Sequence, residues 1–558
     1  MTASPAPGAY DPYDVQPTIW QRHADYVGAV AVFFLTVILT VVMFPPYHAP
    51  EFAYAFASPA LFWAYRRPSL KLFAWTLFAA QAVAWTIILS WLHHVTWLGL
   101  FLLGPFVGAW VGLWYLAGWW VMPRLVGRPT LVRLAAQIGL AGLWVVCEWT
   151  RSWFLGGFDW LPLAASQWER NSILQIAAYT GAGGISFVLI MMNVGFAAYA
   201  NRLLCEGRVG LGKRSQEFFF ALFLCLVCLC VLITETFHRQ AFAQRLGRVA
   251  FVQPDIPQEV KWDPAKGQGI VNVLQRLTLQ TWSSGPDLIL WPEAVTPWAV
   301  KGDPGTQKFV EGLSRRAQAP ILLGSVGEIP SPAQRPGAAP ATEWINGAFV
   351  VAPDFGLQNA YYAKRKLVPF GEYVPLRPLL GWLSKFVPIG DGDFVAGTDP
   401  SPLLLNLRSG LQAAGILICY EDTYPQVARR TVLAGADFLT VLTNNGWFGE
   451  GGAAYQHAAH SVLRAVETRR PVLRCGNAGW SGWIDEYGSI RFVFTNAEAS
   501  VYFRGTKTML IDRDSRWIGR KSYYVEHGDW FVLVALLLAG FGYAAIATSR
   551  AAPPEPVE

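Results

Sequence analysis

Three side chains able to run acyl chemistry stand where apolar strands should end. Cys419 closes the run AAGILICYED, Glu293 closes DLILWPEA, and Lys364 follows the strand in NAYYAKRKLVPFGEY. In open α/β sheets the strand ends form the rim on which sites are assembled, so the three are expected on one edge. A thiolate attacks a carbonyl carbon, a carboxylate takes the thiol proton, and an ammonium stabilises the oxyanion that develops. Cys419 also precedes a predicted helix (TYPQVARRTVLAGA), whose N-terminus is expected to lower the thiol pKa from its usual value of about 8.5. Each residue alone has an ordinary explanation. A cysteine at the end of an apolar strand is a small hydrophobe, and a lone Glu or Lys there is a cap or a solvated charge. Only the combination points to chemistry.

The segment that must position them, 240 to 522, reads as short buried strands separated by Pro/Gly turns and amphipathic helices. The strands are GRVAFVQPD, PDLILWPEA, APILLGSVGE, INGAFVVAPD, QAAGILICYED, DFLTVLTNNG and RPVLRCGNAG. Helical patterns such as QGIVNVLQRLTLQTW, GTQKFVEGLSRRAQ and AYQHAAHSVLRAVETRR lie between several of them. That alternation predicts an α/β domain whose strands are covered by helices. The stretch 330 to 342 (PSPAQRPGAAPAT) reads as a low-complexity surface excursion.

The rest of the chain is of another kind. With 558 residues, 53% hydrophobic and 15% charged, it is too apolar for an ordinary soluble protein. Its 26 Trp, 20 Tyr and 34 Phe suit the levels where bilayer meets water. Spans able to cross about 30 Å of hydrocarbon are expected near 26 to 44, 48 to 65, 71 to 91, 97 to 121, 131 to 149, 183 to 201, 217 to 235 and 530 to 548. The second is the weakest, because it holds Glu51 and Pro59.

Alternate loops carry Arg66, Arg67 and Lys71, then Arg124, Arg128 and Arg133, then Arg202, Arg208, Lys213 and Arg214. Short cytoplasmic loops are enriched in Lys and Arg, so these are expected inside and the α/β domain outside the cytoplasm. The expected organisation is a disordered cytoplasmic tail over 1 to 25 and a seven-helix transmembrane region over 26 to 236. A catalytic domain over 237 to 528, a C-terminal transmembrane helix over 529 to 549 and a cytoplasmic tail over 550 to 558 complete it. A net charge of +6 is modest for this length and says nothing about nucleic acid.

Seven cysteines without repeating spacing imply neither a disulfide framework nor a zinc ribbon. Cys475 shares a domain with Cys419, and pairing would destroy the nucleophile, so it is expected reduced and packed. His457 and His460 lie three apart on a predicted helix, but with no third ligand evident they read as structural, and no metal is expected. Glu148 and Arg151 lie at the membrane edge with helical spacing and are expected to pair.

The motifs WPEA, YAKRKLVPFGEYVPL, ICYED and NNGWFG, in that order, resemble the carbon-nitrogen hydrolase (nitrilase) superfamily with its Glu, Lys, Cys triad. Together with seven preceding spans and one following, they resemble the apolipoprotein N-acyltransferase family in particular. VQPDIPQEVKW, EWTRSWFLGGFDW, QIAAYTGAGGISF and EHGDW extend the resemblance over nearly the whole chain. It implies a polytopic α-helical membrane bundle of about eight spans carrying an extracytoplasmic α/β nitrilase-like domain, an α-β-β-α sandwich.

Residue by residue, the resemblance implies Glu293 as general base, Lys364 as the oxyanion-stabilising lysine and Cys419 as nucleophile. Lys364 is preferred to Lys366 because it lies eight residues before Glu372, which matches a further essential glutamate. Tyr420 and Glu421 match neighbours of the cysteine, Trp262 a tryptophan near the site, and Asn444 and Trp447 the NNGWFG loop. The family often has Asp where this chain has Asn445. The stretch 376 to 394, with Trp382 and Phe386, is expected either as a lid touching lipid or as an ordinary packed helix.

The implied reaction moves a fatty acyl chain from a phospholipid, the sn-1 chain of phosphatidylethanolamine, onto Cys419. From there it passes to the α-amine of the N-terminal diacylglyceryl-cysteine of an apolipoprotein. The implied setting is the bacterial cytoplasmic (inner) membrane with the catalytic domain on the periplasmic side, a monomer with no cofactor and no nucleic-acid partner. The rival readings are an amidase using water as acceptor and a catalytically dead scaffold.

Overall fold

The computed structural model describes residues 19 to 549 apart from 48, 206 to 214, 238, 262, 332 to 341 and 383 to 392. Seven helices among them are long and apolar enough to cross a membrane: Ile19–Val42, Leu70–Ile88, Trp97–Val121, Thr130–Arg151, Ala182–Leu204, Gln216–Thr236 and Trp530–Thr548. Residues 19 to 25, expected in a disordered tail, belong to the first of these helices. No Pro or Gly intervenes between Pro17 and the apolar run, so the helix propagates back from it. The last helix lies against Thr130–Arg151, and glycines permit the approach: a Cβ on Gly142 would sit 2.4 Å from the Ala535 carbonyl oxygen.

The crossing expected over 48 to 65 is not a continuous helix. It is a short 3-10 turn, Pro50–Tyr54, followed by the helix Ser58–Ala64. Seven residues rise only about 10 Å. Backbone groups freed at the break would be costly inside an apolar bundle, and Asn193 of the Ala182–Leu204 helix satisfies them. Its side chain accepts from Ala57 N at 2.7 Å and donates to Ala53 O at 2.8 Å. Gln167 Nε2 likewise donates to Pro50 O at 2.8 Å.

The stretch still runs from one end of the bundle to the other. Pro45 O accepts from Gln456 of the α/β domain, whereas Arg67 donates to Pro123 O and Trp119 to Pro68 O beside the basic 122 to 129 turn. The α/β domain therefore docks on the end of the bundle opposite the basic loops. Trp91 and Trp160 both donate to Gln456 Oε1 there, at 3.0 Å each.

The domain contains two six-stranded sheets. One is ordered β12-β1-β2-β3-β4-β5, with β1 Ala243–Gln253, β2 Leu288–Trp291, β3 Ile321–Pro330, β4 Thr342–Ala352, β5 Gly356–Ala363 and β12 Gly505–Asp514. The other is ordered β11-β10-β9-β8-β7-β6, with β6 Leu403–Leu407, β7 Gly410–Ile418, β8 Phe438–Thr443, β9 Val472–Gly476, β10 Gly482–Ile484 and β11 Ile490–Val493. In each sheet the three central strands, β1-β2-β3 and β7-β8-β9, are parallel, and their neighbours are antiparallel. Every strand expected from the sequence is present.

Phe251, Leu290 and Leu322 from one sheet meet Ile416, Leu442 and Leu473 from the other in a core between them. The first sheet's outer face is covered by the helices Gly267–Gln280 and Pro304–Ala317. The second is covered by Pro425–Leu433 and Ala453–Thr468, whose core is continuous with the membrane bundle. The result is the α-β-β-α sandwich, with one helix layer pressed onto the bundle. The 330 to 342 excursion falls largely, and the tail after Ser549 wholly, outside the described residues.

Candidate active site

Three strand ends converge. β2 ends at Trp291 just before Glu293, β5 at Ala363 just before Lys364, and β7 at Ile418 just before Cys419. All three side chains are buried, and so is Glu372. Lys364 Nζ donates to Glu372 Oε1 at 2.9 Å and to Glu293 Oε1 at 3.3 Å. Asn346 on β4 bridges the same two carboxylates, donating to Glu372 Oε1 at 2.7 Å and to Glu293 Oε1 at 2.9 Å. The backbone N–H of Asn444 donates to Glu293 Oε2 at 3.0 Å, and Val368 N to Glu372 Oε2 at 2.8 Å.

Cys419 has φ +53°, a left-handed conformation that costs a non-glycine residue about 1–2 kcal/mol. It is a sharp elbow between strand and turn, of the kind that projects a nucleophile at the top of a sheet. Asp422 anchors it from behind, accepting from Arg474 at 2.6 Å, Ser461 at 2.6 Å and His457 Nε2 at 2.8 Å. His457 Nε2 also lies 3.2 Å from Cys419 O, and its Nδ1 lies 3.1 Å from Asn445 Oδ1. His460 Nε2 accepts from Leu161 N at 3.1 Å, so the two histidines point to different partners.

Glu421 ties the elbow to the lysine loop. One of its oxygens accepts from Arg365 N at 2.7 Å and Lys366 N at 3.0 Å. The other accepts from Ile418 N at 2.7 Å and Tyr362 Oη at 2.8 Å. A glutamine there has one acceptor oxygen for four donors. Glu421→Gln is therefore expected to destabilise the purified protein by about 2–4 kcal/mol and to slow turnover at least tenfold. Thermal unfolding and a steady-state assay check this, and a variant unchanged in both would mean the staple is dispensable.

The electrostatics oppose one expectation. Burial, with the Glu293 charge beside it, pushes the Cys419 thiol up to about 12, against the pull of Lys364 and a hydrogen bond with Thr443. The helix expected to lower it does not start until Pro425, after the 3-10 turn Cys419–Thr423. Glu293 behaves in the opposite sense. Burial disfavours its charge, but Lys364 and Lys261, with hydrogen bonds from Asn346 and Cys419, outweigh that and hold the carboxyl below 4.5. For Lys364 burial is likewise overcome, by Glu372, Glu293 and Cys419, and the ammonium is held well above its ordinary range. A protonated thiol thus rests beside an ionised carboxylate and a permanent cation. That is the arrangement for general-base activation at the moment of attack.

The remaining expected residues are placed variously. Tyr420 Oη pairs with Tyr424 Oη, which donates to Gly157 O at 3.0 Å in the loop after the Thr130–Arg151 helix. Asn444 donates to Gln258 Oε1 at 3.0 Å, and Trp447 is half-buried in the Asn445–Phe448 turn. Trp382 is 61% exposed, while Trp262 and Phe386 lie outside the described residues. Lys366 Nζ turns away to Gly156 O at 3.0 Å.

Cys475 is a buried free thiol 3.4 Å from Val252 O and Leu290 O. Glu148 and Arg151, expected to pair, attract each other electrostatically, and each also holds the 160 to 163 backbone. Glu148 accepts from Leu163 N at 2.6 Å and Arg151 donates to Trp160 O at 3.1 Å. Two residues were not singled out from sequence. Asn346 was legible as the one amide inside the apolar strand INGAFVV, and Lys261 as the lysine in VQPDIPQEVKW.

Two family models match the chain. The apolipoprotein N-acyltransferase N-terminal domain covers residues 22–195, and the carbon-nitrogen hydrolase model covers residues 248–526. The chain is 32% identical to an apolipoprotein N-acyltransferase from Geobacter metallireducens over 74% of either chain. It is 33% identical to one from Methylococcus capsulatus over 67% of this chain and 68% of that one. Among solved structures, an amidase from Nesterenkonia sp. matches at 16% identity and a TM-score of 0.35, covering 51% of this chain and 93% of that one.

Proposed function

The chain belongs to the apolipoprotein N-acyltransferase family, and on that premise we propose that Glu293, Lys364 and Cys419 carry a fatty acyl chain from a phospholipid to a lipoprotein N-terminus. The observation that most supports this reading is the buried Glu293–Lys364–Glu372 cluster at the elbow of Cys419, in a domain seated on the end of an apolar bundle.

In the first half-reaction Glu293 takes the Sγ proton as sulfur attacks the ester carbonyl carbon of the donor. Lys364 meets the oxyanion. Collapse breaks the ester C–O bond, and the departing lysophospholipid oxygen receives the proton from Glu293, leaving a Cys419 thioester. In the second, the α-amine of a diacylglyceryl-cysteine attacks the thioester and gives a proton to Glu293. Collapse breaks the C–S bond and the sulfur takes that proton back. Glu372 and Asn346 hold Lys364 and Glu293 in register throughout. Tyr420, Glu421, Asn444 and Trp447 support the site, and the exposed Trp382 is the proposed contact with lipid.

Phosphatidylethanolamine is the proposed donor, and the enzyme works as a monomer without nucleic acid. Both substrates carry lipid anchors and reach such a site by diffusing in the membrane. Incubation of the purified protein with phosphatidylethanolamine and a diacylated lipopeptide tests the acceptor. The expected product is the N-acylated peptide; fatty acid or ammonia released to water instead would favour the amidase.

We assign residues 26 to 236 and 529 to 549 to the membrane and 237 to 528 to the catalytic domain, on the periplasmic side of the cytoplasmic membrane. The basic loops at the far end of the bundle support that orientation. A membrane-impermeant maleimide added to spheroplasts is then expected to spare Cys205, which is exposed and precedes the basic sequence 206 to 214. Labelling of Cys205 before lysis would reverse the orientation.

A further inference from the structure

The groups assigned to the reaction do not balance in charge. Glu293, Glu372 and Lys364 leave one excess negative charge in a buried space, and a buried carboxylate without its counter-ion takes up a proton instead. A protonated Glu293 could not receive the proton of Cys419. A second buried cation stands at this point. Lys261 closes the helical turn Gln258–Lys261 that follows β1, is 3% exposed, and donates from Nζ to the backbone oxygen of Glu293 at 3.2 Å.

The turn is fixed on both sides. Gln258 Oε1 accepts from Asn444, the residue whose N–H holds Glu293 Oε2, and Asn477 pairs with Ile256 N at 3.0 Å and Ile256 O at 2.8 Å. The lysine head is therefore delivered to Glu293 by backbone anchored to the end of β9.

We propose that Lys261 is a positioning residue of the acyl-transfer site, whose ammonium balances the Glu293–Glu372 pair and keeps Glu293 ionised until it receives the thiol proton. The inference rests on the roles given above to Glu293 and Cys419. With Lys261 present the cluster is neutral at rest. The proton then passes from sulfur to carboxylate inside a neutral cluster.

The charged groups facing Glu293 are Lys364 from the end of β5, Glu372 from the turn beyond it, Cys419 from the end of β7, and Lys261. Those facing Lys261 are Glu293, Cys419 and Lys364, and Glu259 on its own turn is exposed. Burial lowers the Lys261 ammonium to about 8 while Glu293 and Cys419 hold it up, which leaves it mainly charged at neutral pH.

Glu293 serves as base above its own pKa and fails as pH falls through it, so removing a neighbouring cation moves that failure to higher pH. The test is single-turnover formation of the Cys419 acyl adduct from phosphatidylethanolamine micelles, followed by mass spectrometry against pH in the full-length enzyme. Wild type is expected to lose rate only below about pH 4.5. Lys261→Met and Lys261→Gln, the second of which keeps a donor for the Glu293 carbonyl, are expected to raise that midpoint by about one to two pH units. Each is then about tenfold slower near about pH 5 and close to wild type near about pH 8. Lys261→Arg is expected to keep the wild-type midpoint. A rate that falls equally at every pH, with an unmoved midpoint in Lys261→Gln, overturns the proposal alone. No adduct in wild type overturns the acyl-transfer roles and this proposal with them.

Discussion

Cys419→Ser is expected to reduce acyl transfer by at least about 10⁴-fold and to abolish the thioester altogether. A hydroxyl fills nearly the same volume, so the elbow held by Asp422, His457 and Glu421 should persist and the variant should unfold close to the wild-type temperature. What is lost is chemical. The thiol is already pushed up to about 12 by burial and by Glu293, and an alcohol in that place is harder still to ionise. The serine ester, were it formed, is also a poorer acyl donor to an amine than a thioester. Wild-type levels of N-acylated lipopeptide from this variant would remove Cys419 from the reaction. Unchanged function in cells lacking the native copy would favour a scaffold.

Glu293→Gln is expected to cost about 10²–10⁴-fold in the rate of Cys419 acylation. Two effects act together. The amide cannot receive the Sγ proton, and its loss of charge leaves Lys364 with Glu372 as its remaining carboxylate and removes the carboxylate beside Lys261. The first effect holds at every pH, so the variant should show no acid limb, whereas wild type loses rate as pH falls through the depressed carboxyl of Glu293. A pH series of single-turnover acylation separates these outcomes. A variant that keeps the wild-type rate and acid limb would move the base elsewhere, with Glu372, 2.9 Å from Lys364 Nζ, as its nearest replacement.

Much of this was legible in the sequence because the signals were local. Buried strands ending in Pro, Asn or Gly are short apolar runs whatever they pack against, and the three site residues follow such runs. The resemblance supplied the order that made Cys419 more than a packed thiol. What escaped depended on tertiary geometry. The 48 to 65 crossing has the apolar content of a span, but Pro50, Glu51 and Pro59 break it, and side chains distant in sequence, Asn193 and Gln167, make the break tolerable. Lys261 and Asn346 lie 32 and 53 residues from Glu293, and nothing at that separation says that a lysine in a helical turn and an amide in a strand converge on one carboxylate.

The thiol departs from its sequence expectation for a related reason. Proximity to a predicted helix suggested a lowered pKa, whereas a full burial shell and an adjacent carboxylate prevail and raise it. Glu148 and Arg151 attract each other as their helical spacing suggests, but the hydrogen bonds each also makes to the loop after their helix depend on tertiary geometry.

On this reading Cys419 holds the fatty acyl chain between two lipid-anchored substrates. Mass spectrometry of the intact enzyme and its Cys419 peptide, after exposure to phosphatidylethanolamine with no acceptor present, decides whether it does. One hydroxylamine-labile fatty acyl group on Cys419, discharged when a diacylated lipopeptide is added, is the predicted result. An unmodified Cys419 under conditions where the peptide still becomes N-acylated would contradict it.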